Sequence, residues 1–246
     1  MSKVEEFASL HVAGNPLILY NIWDPGSAKA VAGAGAKAIA TGSWGVACAA
    51  GFADGEKLPL DFAIDNLTRI QLVTDLPVTI DMEAGYGATE SEVEQSVAGA
   101  AAAGAAGINL EDKDPVTRQL FAVEQASARI AAAAASGIFV NARTDVFILT
   151  PHTQHDAALV DSVIERAKAY ADAGARGLFA PFLRDEVLIT RLCEKSPLPV
   201  NILIGAGVPD HKRLAEIGVA RISHGHGPWA AAMDWLADEA RKIYTL

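Results

Sequence analysis

The sequence predicts an α/β fold, a (β/α)8 or TIM barrel, in a single domain that covers residues 1–246. Three observations support this prediction. The length matches one such barrel, which typically needs about 250 residues. About half of the residues are apolar, enough for a large core. Eight short apolar segments alternate with helical ones. The alternative is a doubly wound open sheet, but its glycine-rich turn GxGxxG is missing after residues 18–20.

Four of the eight predicted strands follow one local pattern, in which a glycine suited to a helix C-terminus precedes an apolar strand. These segments begin at Gly35 (GAKAIAT), Gly104 (GAAGINLE), Gly174 (GARGLFAP) and Gly218 (GVARISH). The other four begin at Asn15 (NPLILYN), Leu76 (LPVTIDME), Ser136 (SGIFVNART) and Leu198 (LPVNILIG). Three of these carry a proline at the strand start, where a missing N–H does little harm. Interleaved, the two sets give the eight strands of the barrel.

Helical patterns fill the intervals between these strands. Residues 91–103 and 123–135 are rich in alanine, with glutamate near the helix start. Further helices are predicted at residues 155–173, 184–194 and 210–217. Residues 228–243 begin with proline and carry an apolar stripe that contains Trp229, Met233 and Trp235.

The composition excludes several classes of partner. A formal charge of -10 and a pI near 5.0 argue against a nucleic-acid or anionic-membrane surface. The N-terminus is too charged for a signal peptide, and no apolar run approaches membrane-spanning length. Cys48 and Cys193 lie far apart and form no CxxC motif, as is typical of a reducing compartment. We therefore expect a cytoplasmic protein without a nucleic-acid or membrane partner.

Acidic residues end two neighbouring predicted strands, at the barrel edge where function resides. Asp81 and Glu83 point to the same side because strand side chains alternate, and Glu111 ends the next strand. Three carboxylates repel one another unless protons or a cation are present. Oxygen ligands without His or Cys favour a hard ion, so Mg²⁺ is predicted, with Mn²⁺ as the alternative. Asp54, in the loop GFADGE, is expected to reach the same ion through water.

Basic residues follow two later strands. Arg143 offers a planar fork for a substrate carboxylate, although its spacing is equally compatible with a salt bridge to Asp145 or Glu111. His224 and His226 flank a glycine in SHGHG after the last strand. With GAG at residues 205–207 they predict either a phosphate cradle or simple loop closure.

Four segments carry a family resemblance: ATGSWGVACAAGFADGE (40–56), TIDMEAGYG (79–87), GINLEDK (107–113) and NARTDVF (141–147). Together they resemble the isocitrate lyase and phosphoenolpyruvate mutase superfamily. The resemblance implies that Asp81 binds Mg²⁺, while Glu83, Glu111 and Asp54 act largely through metal-bound waters. It also implies a set of substrate-binding residues, namely Gly42, Ser43 and Trp44 through backbone groups, Arg143, Tyr20 and Asn201. Members commonly exchange their final helices, so the resemblance further implies a homodimer or homotetramer.

The segment after the fourth strand departs from the family. The lyases carry a KKCGH-type loop whose cysteine acts as acid and base, and the phosphonomutases carry a lysine and an Asn-Ser pair. Here the segment reads EDKDPVTRQLF and has neither. Lys113 and Arg118 are its basic residues, and Lys113 is the candidate acid or base, although neighbouring carboxylates would raise its pKa. Glu83 also stands where aspartate is common.

Together these features predict a Mg²⁺-dependent lyase acting on a small 2-oxo or 2-hydroxy acid. The reaction would pass through an enolate of the pyruvate or oxaloacetate type, by C–C cleavage or decarboxylation. One alternative is C–P bond chemistry, as in a phosphonomutase or phosphonopyruvate hydrolase. The other is a non-catalytic barrel that binds a metabolite.

Overall fold

The computed structural model describes residues 1–244, and eight parallel strands form its barrel. The strands are β1 Leu17–Leu19, β2 Ile39–Ala40, β3 Val78–Asp81, β4 Gly107–Glu111, β5 Phe139–Arg143, β6 Gly177–Ala180, β7 Val200–Leu203 and β8 Arg221–Ser223. They pair in the order β1-β8-β7-β6-β5-β4-β3-β2. A parallel bridge between Ile22 and Thr41 joins the two ends of this order. The predicted (β/α)8 barrel is therefore confirmed.

The helices surround this barrel. They are α1 Lys3–Ser9, α2 Pro25–Gly33, α3 Ser43–Ala49, α4 Leu60–Gln71, α5 Glu90–Ala102, α6 Val123–Ala134, α7 Val146–Leu149, α8 Ala157–Asp172, α9 Glu186–Lys195, α10 His211–Glu216 and α11 Gly227–Tyr244, with a 3-10 turn at His152–Gln154. The six helices named from the sequence are all present, with ends shifted by two residues or fewer. No helix within residues 1–244 combines the length and the apolar content that crossing a membrane requires.

The four glycines of the repeated pattern end helices in the left-handed conformation. Gly35, Gly104, Gly174 and Gly218 have φ values of 98°, 95°, 98° and 92°. Residues with a Cβ rarely adopt this region, so glycine there stops the helix and turns the chain toward the next strand.

The buried residues form an outer and an inner layer. The outer layer packs the strands against the helices. The inner layer lies inside the barrel, where Phe7 of α1 closes the lower end against Leu17, Leu19 and Phe139. Above it the interior is polar, with inward side chains of Asn109, Asn141, Asn201 and Arg221. This polar layer lies beneath the carboxyl ends of the strands.

Candidate active site

Four charged side chains from β4, β5 and the segments that follow them form one connected group, the Glu111–Arg143 network. Glu111 and Arg143 face each other across the β4–β5 register, with Arg143 Nη2 3.0 Å from Glu111 Oε2. Lys113 Nζ lies 3.3 Å from Glu111 Oε1 and also contacts Asp145. Arg143 places its fork on Asp145, with Nε–Oδ1 at 2.7 Å and Nη2–Oδ2 at 3.1 Å. Both salt bridges that the spacing allowed are therefore formed.

Asp112 holds this network from beneath. Its Oδ1 accepts the backbone N–H of Asp145 at 2.9 Å, and its Oδ2 accepts the hydroxyls of Thr144 and Tyr170 at 2.8 and 2.7 Å. Burial raises the pKa of Asp112. Burial acts in the same direction on Asp145, but Arg143 and Lys113 outweigh it and hold that pKa below its ordinary value. Asp145 is thus a fixed anion that orients Arg143 and Lys113.

The second part of the site is the end of β3. Asp81 is half-buried, and its Oδ2 lies a long 3.4 Å from the backbone N of Ser43. Within residues 1–244 it forms no salt bridge, unlike Glu111. Glu83 is buried and accepts the backbone N–H of Glu56 through Oε2 at 2.9 Å. Of the three strand-end carboxylates Asp81, Glu83 and Glu111, Asp81 is therefore the one with the most free capacity to bind a cation.

Glu56 and Tyr86 join the Asp54 loop to the loop after β3, a contact that sequence reasoning missed. Glu56 Oε1 accepts the N–H of Tyr86 at 2.8 Å, while Tyr86 Oη lies 3.4 Å from Glu83 Oε1. Glu56, Glu83 and Tyr86 have positive φ values of 57°, 49° and 52°. Such backbone strain is held in place by the surrounding contacts and is concentrated at functional sites. The reciprocal bonds fix Asp54 beside Asp81.

The carboxylates of the site are short of positive charge. Burial raises the pKa of Glu83 to about 8, and the charges of Asp54, Asp81 and Glu111 add to the shift. Burial also raises the pKa of Glu111 to about 7, although Arg143 and Lys113 oppose it. Partial removal from water and the charge of Asp81 raise the pKa of Asp54. Such a group has affinity for protons or for a cation.

The donor set fits a hard divalent cation held mainly by one carboxylate. Within residues 1–244, no three His, Cys, Asp or Glu side chains are arranged as direct ligands. Glu111 is engaged by Arg143 and Lys113, and Glu83 by Glu56, so Asp81 is the strand-end carboxylate that is free to serve as a direct ligand. The other acids could act only through water, as Mg²⁺ sites commonly allow. The structure therefore does not arrange Asp81, Glu83 and Glu111 as three direct ligands of one ion.

The start of α3 lies beside Asp81. Gly42 caps this helix, and its N–H donates to Ile22 O at 3.3 Å, so that amide is not free. The N–H groups of Trp44 and Gly45 donate no hydrogen bond to any described residue. The Trp44 ring is half-exposed and stacks on His226 at 4.7 Å. The first turn of α3, here called the amide edge of α3, therefore has two N–H groups without a partner among the described residues, those of Trp44 and Gly45, next to the acidic group.

Two residues that the resemblance assigns to the substrate pocket form no hydrogen bond or ion pair with the site carboxylates within residues 1–244. Tyr20 is 48% exposed on the outer side of β1, with its ring 5.0 Å from that of His224. Asn201 is buried inside the barrel, where its Oδ1 accepts the Ser223 hydroxyl at 3.1 Å and its Nδ2 has no partner.

The loop after β8 closes the barrel rather than forming an anion cradle. Asn21 Oδ1 accepts the N–H groups of His224 and Gly225 at 3.0 and 2.8 Å. Residues 205–207 are exposed and contribute nothing to this contact. Of the two alternatives for SHGHG, loop closure is the one that the structure supports.

The loop that departs from the family is an ordered turn. Lys113 and Leu120 form an antiparallel bridge, and Asp114 Oδ1 accepts the N–H groups of Val116 and Thr117. Arg118 is exposed with φ 63°, whereas Lys113 is buried in the network. Of the two basic loop residues, only Lys113 is brought to the site.

Comparison with known proteins extends these observations. A family model described as phosphoenolpyruvate phosphomutase matches residues 7–244. A 2-methylisocitrate lyase from Salmonella typhimurium is 30% identical over 263 residues, covering 100% of this chain and 84% of its own. An oxaloacetate decarboxylase from Pseudomonas aeruginosa is 30% identical over 224 residues, covering 87% of this chain and 75% of its own.

A crystal structure of a candidate phosphonomutase from Burkholderia cenocepacia J2315 has the same fold. It is 50% identical, covers 98% of each chain and superposes with a TM-score of 0.95. The family match, the two lyase relatives and this structure agree with one another. The chain belongs to the phosphoenolpyruvate mutase and isocitrate lyase superfamily and is an enzyme of that lyase or mutase type.

Proposed function

We propose that this enzyme is a Mg²⁺-dependent lyase that decarboxylates or cleaves a small 2-oxo or 2-hydroxy acid through an enolate of the pyruvate or oxaloacetate type. The observation that carries the proposal is Asp81. It has no ion pair within residues 1–244, lies among carboxylates with raised pKa values, and neighbours the amide edge of α3. Bound Mg²⁺, or Mn²⁺ in its place, would supply Lewis-acid stabilisation of the enolate.

Asp81 would hold the ion directly, with Glu83, Glu111 and Asp54 accepting hydrogen bonds from its water ligands. Glu83 and Glu111 are suited to this because they are already fixed by Glu56 and by Arg143. Ordered outer carboxylates orient the ligands of a metal site and tune its affinity.

The substrate carboxylate would bind between the start of α3 and Arg143. Trp44 and Gly45 offer free amide N–H groups, Ser43 offers one that is only loosely bonded to Asp81 at 3.4 Å, and Gly42 contributes as the cap that sets their direction. Arg143 has its fork on Asp145, but its Nη1 is outside the hydrogen bonds found within residues 1–244. That remaining edge is the one offered to substrate.

The contacts of Lys113 favour a reaction that does not need an acid or a base from the loop after β4. Its Nζ is paired with Asp145 and Glu111, so these ion pairs already engage the side chain. Decarboxylation needs no general base at the departing CO₂ and fits this arrangement. The 30% identical oxaloacetate decarboxylase supports the same choice.

A second candidate is C–P chemistry on a phosphonopyruvate-like acid. The observation in its favour is the 50% identical candidate phosphonomutase, which shares 98% of this chain. Both reactions use a 2-oxo acid at the same site, so one set of assays separates them.

The test is a panel of oxaloacetate, 2-methylisocitrate and phosphonopyruvate, assayed with Mg²⁺ and with EDTA. Release of pyruvate with CO₂ or another carbon fragment supports the lyase, whereas phosphate or phosphoenolpyruvate supports C–P chemistry. Asp81→Asn should abolish both turnover and Mg²⁺ binding in calorimetry. The exposed Asp75→Asn should leave both unchanged. Undiminished Mg²⁺ affinity in Asp81→Asn would refute the site.

The compartment belongs to this proposal too. Cys48 and Cys193 are both free and half-buried, and burial raises the pKa of the Cys193 thiol to about 12. Two free cysteines are compatible with a reducing compartment. We place the enzyme in the cytoplasm.

A further inference from the structure

Arg221 is a cation buried inside the barrel without an acidic partner. It is 1% exposed and lies on β8, opposite Leu17 and Asn201. Its Nη2 donates to Asn109 Oδ1 at 3.1 Å, and its Nε lies 3.4 Å from Ser223 Oγ. Its Nη1 is buried without a partner, and no salt bridge within residues 1–244 includes it.

A lone guanidinium in a dry interior is strongly unfavourable unless another charge compensates it. The compensating charge lies above it. Burial lowers the pKa of Arg221 to about 9, and Asp81 is the acidic group that opposes this shift. Asp81 faces Asn109 in the β3–β4 register, and Asn109 holds the guanidinium. Arg221 therefore lies one polar layer beneath the acidic end of the barrel.

The charges above Arg221 do not balance among themselves. Within the Glu111–Arg143 network the two acids and the two bases offset each other. Asp54, Asp81 and Glu83 remain without a salt bridge within residues 1–244. At pH 8.5, where Glu83 is ionised as well, a divalent ion offsets two of these three charges, so an anionic substrate would still meet one uncompensated carboxylate.

We propose that Arg221 is a positioning residue whose buried charge, acting through Asn109 and Asp81, offsets the carboxylate that the metal leaves uncompensated. The charge favours an anionic substrate and disfavours the metal, so removing it should move the two affinities in opposite directions. A buried charge is little screened by salt, and its effect reaches across a polar layer. This inference rests on the proposed Mg²⁺ site.

The test compares the wild type with Arg221→Gln, which removes the charge but can still donate to Asn109. Calorimetry at pH 8.5 measures the Kd of Mg²⁺ alone, then the Kd of oxalate for the Mg²⁺-saturated protein. Oxalate is a planar dianion that resembles the enolate of pyruvate. In Arg221→Gln, Mg²⁺ should bind about threefold to tenfold more tightly and oxalate about threefold to tenfold more weakly.

The outcomes distinguish the alternatives. Ser223→Ala removes the contact at Nε but no charge and should shift neither affinity. Weakening of both ligands in Arg221→Gln, or no change in either, would overturn the proposal. If the Gln variant does not fold, Arg221→Met supplies the same neutral comparison, since apolar replacement of a buried charge is often tolerated. A wild-type protein that binds no Mg²⁺ would instead refute the proposed function.

Discussion

Arg143 is held by ion pairs within the protein, and in the proposed mechanism the same side chain also binds the substrate. Its fork holds Asp145, and Nη2 also contacts Glu111. Burial lowers its pKa, but Glu111 and Asp145 outweigh that effect and raise it, so the charge is permanent. In the proposed mechanism this anchoring fixes the guanidinium in place before substrate arrives.

Replacing Arg143 with lysine should therefore damage catalysis more than folding. The charge remains, but the planar fork and the second donor edge are lost. We expect kcat/KM to fall about 100-fold, which corresponds to about 2.7 kcal/mol, with a decrease of only a few degrees in Tm. Steady-state kinetics and a melting curve on the same preparation show whether activity or stability is lost. A large loss of stability with normal activity would make Arg143 purely structural.

Glu83 makes stability depend on pH when no metal is present. Burial raises its pKa to about 8 from an ordinary value of 4.5. Between these values the folded protein keeps a proton that the unfolded chain releases, so the stabilisation is complete at low pH and is lost as pH rises through 8. In EDTA, Tm should fall from pH 5 to pH 8.5. Glu83→Gln should flatten that slope, whereas the exposed Glu94→Gln should leave it intact.

At this scale the sequence predicts which residues meet but not how they pair. Alternation along β3, β4 and β5 correctly places Asp81, Glu111 and Arg143 at one end of the barrel. The partner of Arg143 depends on interstrand register and on Asp112 beneath it, which spacing does not encode. Arg221 could have been found by the same alternation, since it lies two residues before Ser223. The Glu56–Tyr86 contact joins two loops and carries no local signal.

At the scale of elements, the effect of glycine on helix stability depends on its position. Gly35 ends a helix, whereas Gly99 lies inside one. Gly35 has φ 98°, and no atom lies within 4 Å of the position that a Cβ would take, so alanine there suffers only backbone strain. Gly99 lies inside α5, also in open space, where alanine is the better helix former. Gly35→Ala should cost about 1 kcal/mol, and Gly99→Ala should add about 0.5–1 kcal/mol. Urea unfolding measures both, and shifts of the same sign would contradict the assignment.

The elements found from the sequence are those with a self-contained local signature. A helix-ending glycine followed by an apolar strand is such a signature, and it recurs four times. The short helices α1, α3 and α7 lack enough turns to show a period. In α4 the spacing of Leu60, Ile64 and Leu67 is helical, so this element was detectable.

At the scale of the whole molecule, residues 1–244 leave apolar surface uncovered on α11 and on the outer side of β1. In α11, Pro228 is the one buried residue, while Trp235, Leu236 and Ile243 are 64%, 53% and 67% exposed. On the outer side of β1, Ile18 is 47% exposed, beside a groove of about 500 Å³ that Val31 also lines. Such surfaces on one chain are typical of a subunit interface.

We expect α11 to pack on a second copy, giving a homodimer or homotetramer. Sedimentation velocity at micromolar concentration should show no monomer for the wild type, and Trp235→Glu should dissociate the assembly. Val187→Glu, on the exposed side of α9, is the matched control and should not. A wild-type monomer would refute exchange of the last helix.

The bridge between Ile22 and Thr41 gives the closed barrel one weak seam. Neighbouring strands elsewhere share at least two paired positions, whereas this join has one bridge and the bonds Ile22 N–Ala40 O and Gly42 N–Ile22 O. Local fluctuations should open it before the rest of the sheet. Amide hydrogens of Ile22 and Gly42 should exchange with solvent faster than that of Val140 in β5. Because Gly42 leads directly into the amide edge of α3, a bound dianion should slow exchange at this seam. Amide exchange at Ile22 and Gly42 would then report whether the site is occupied.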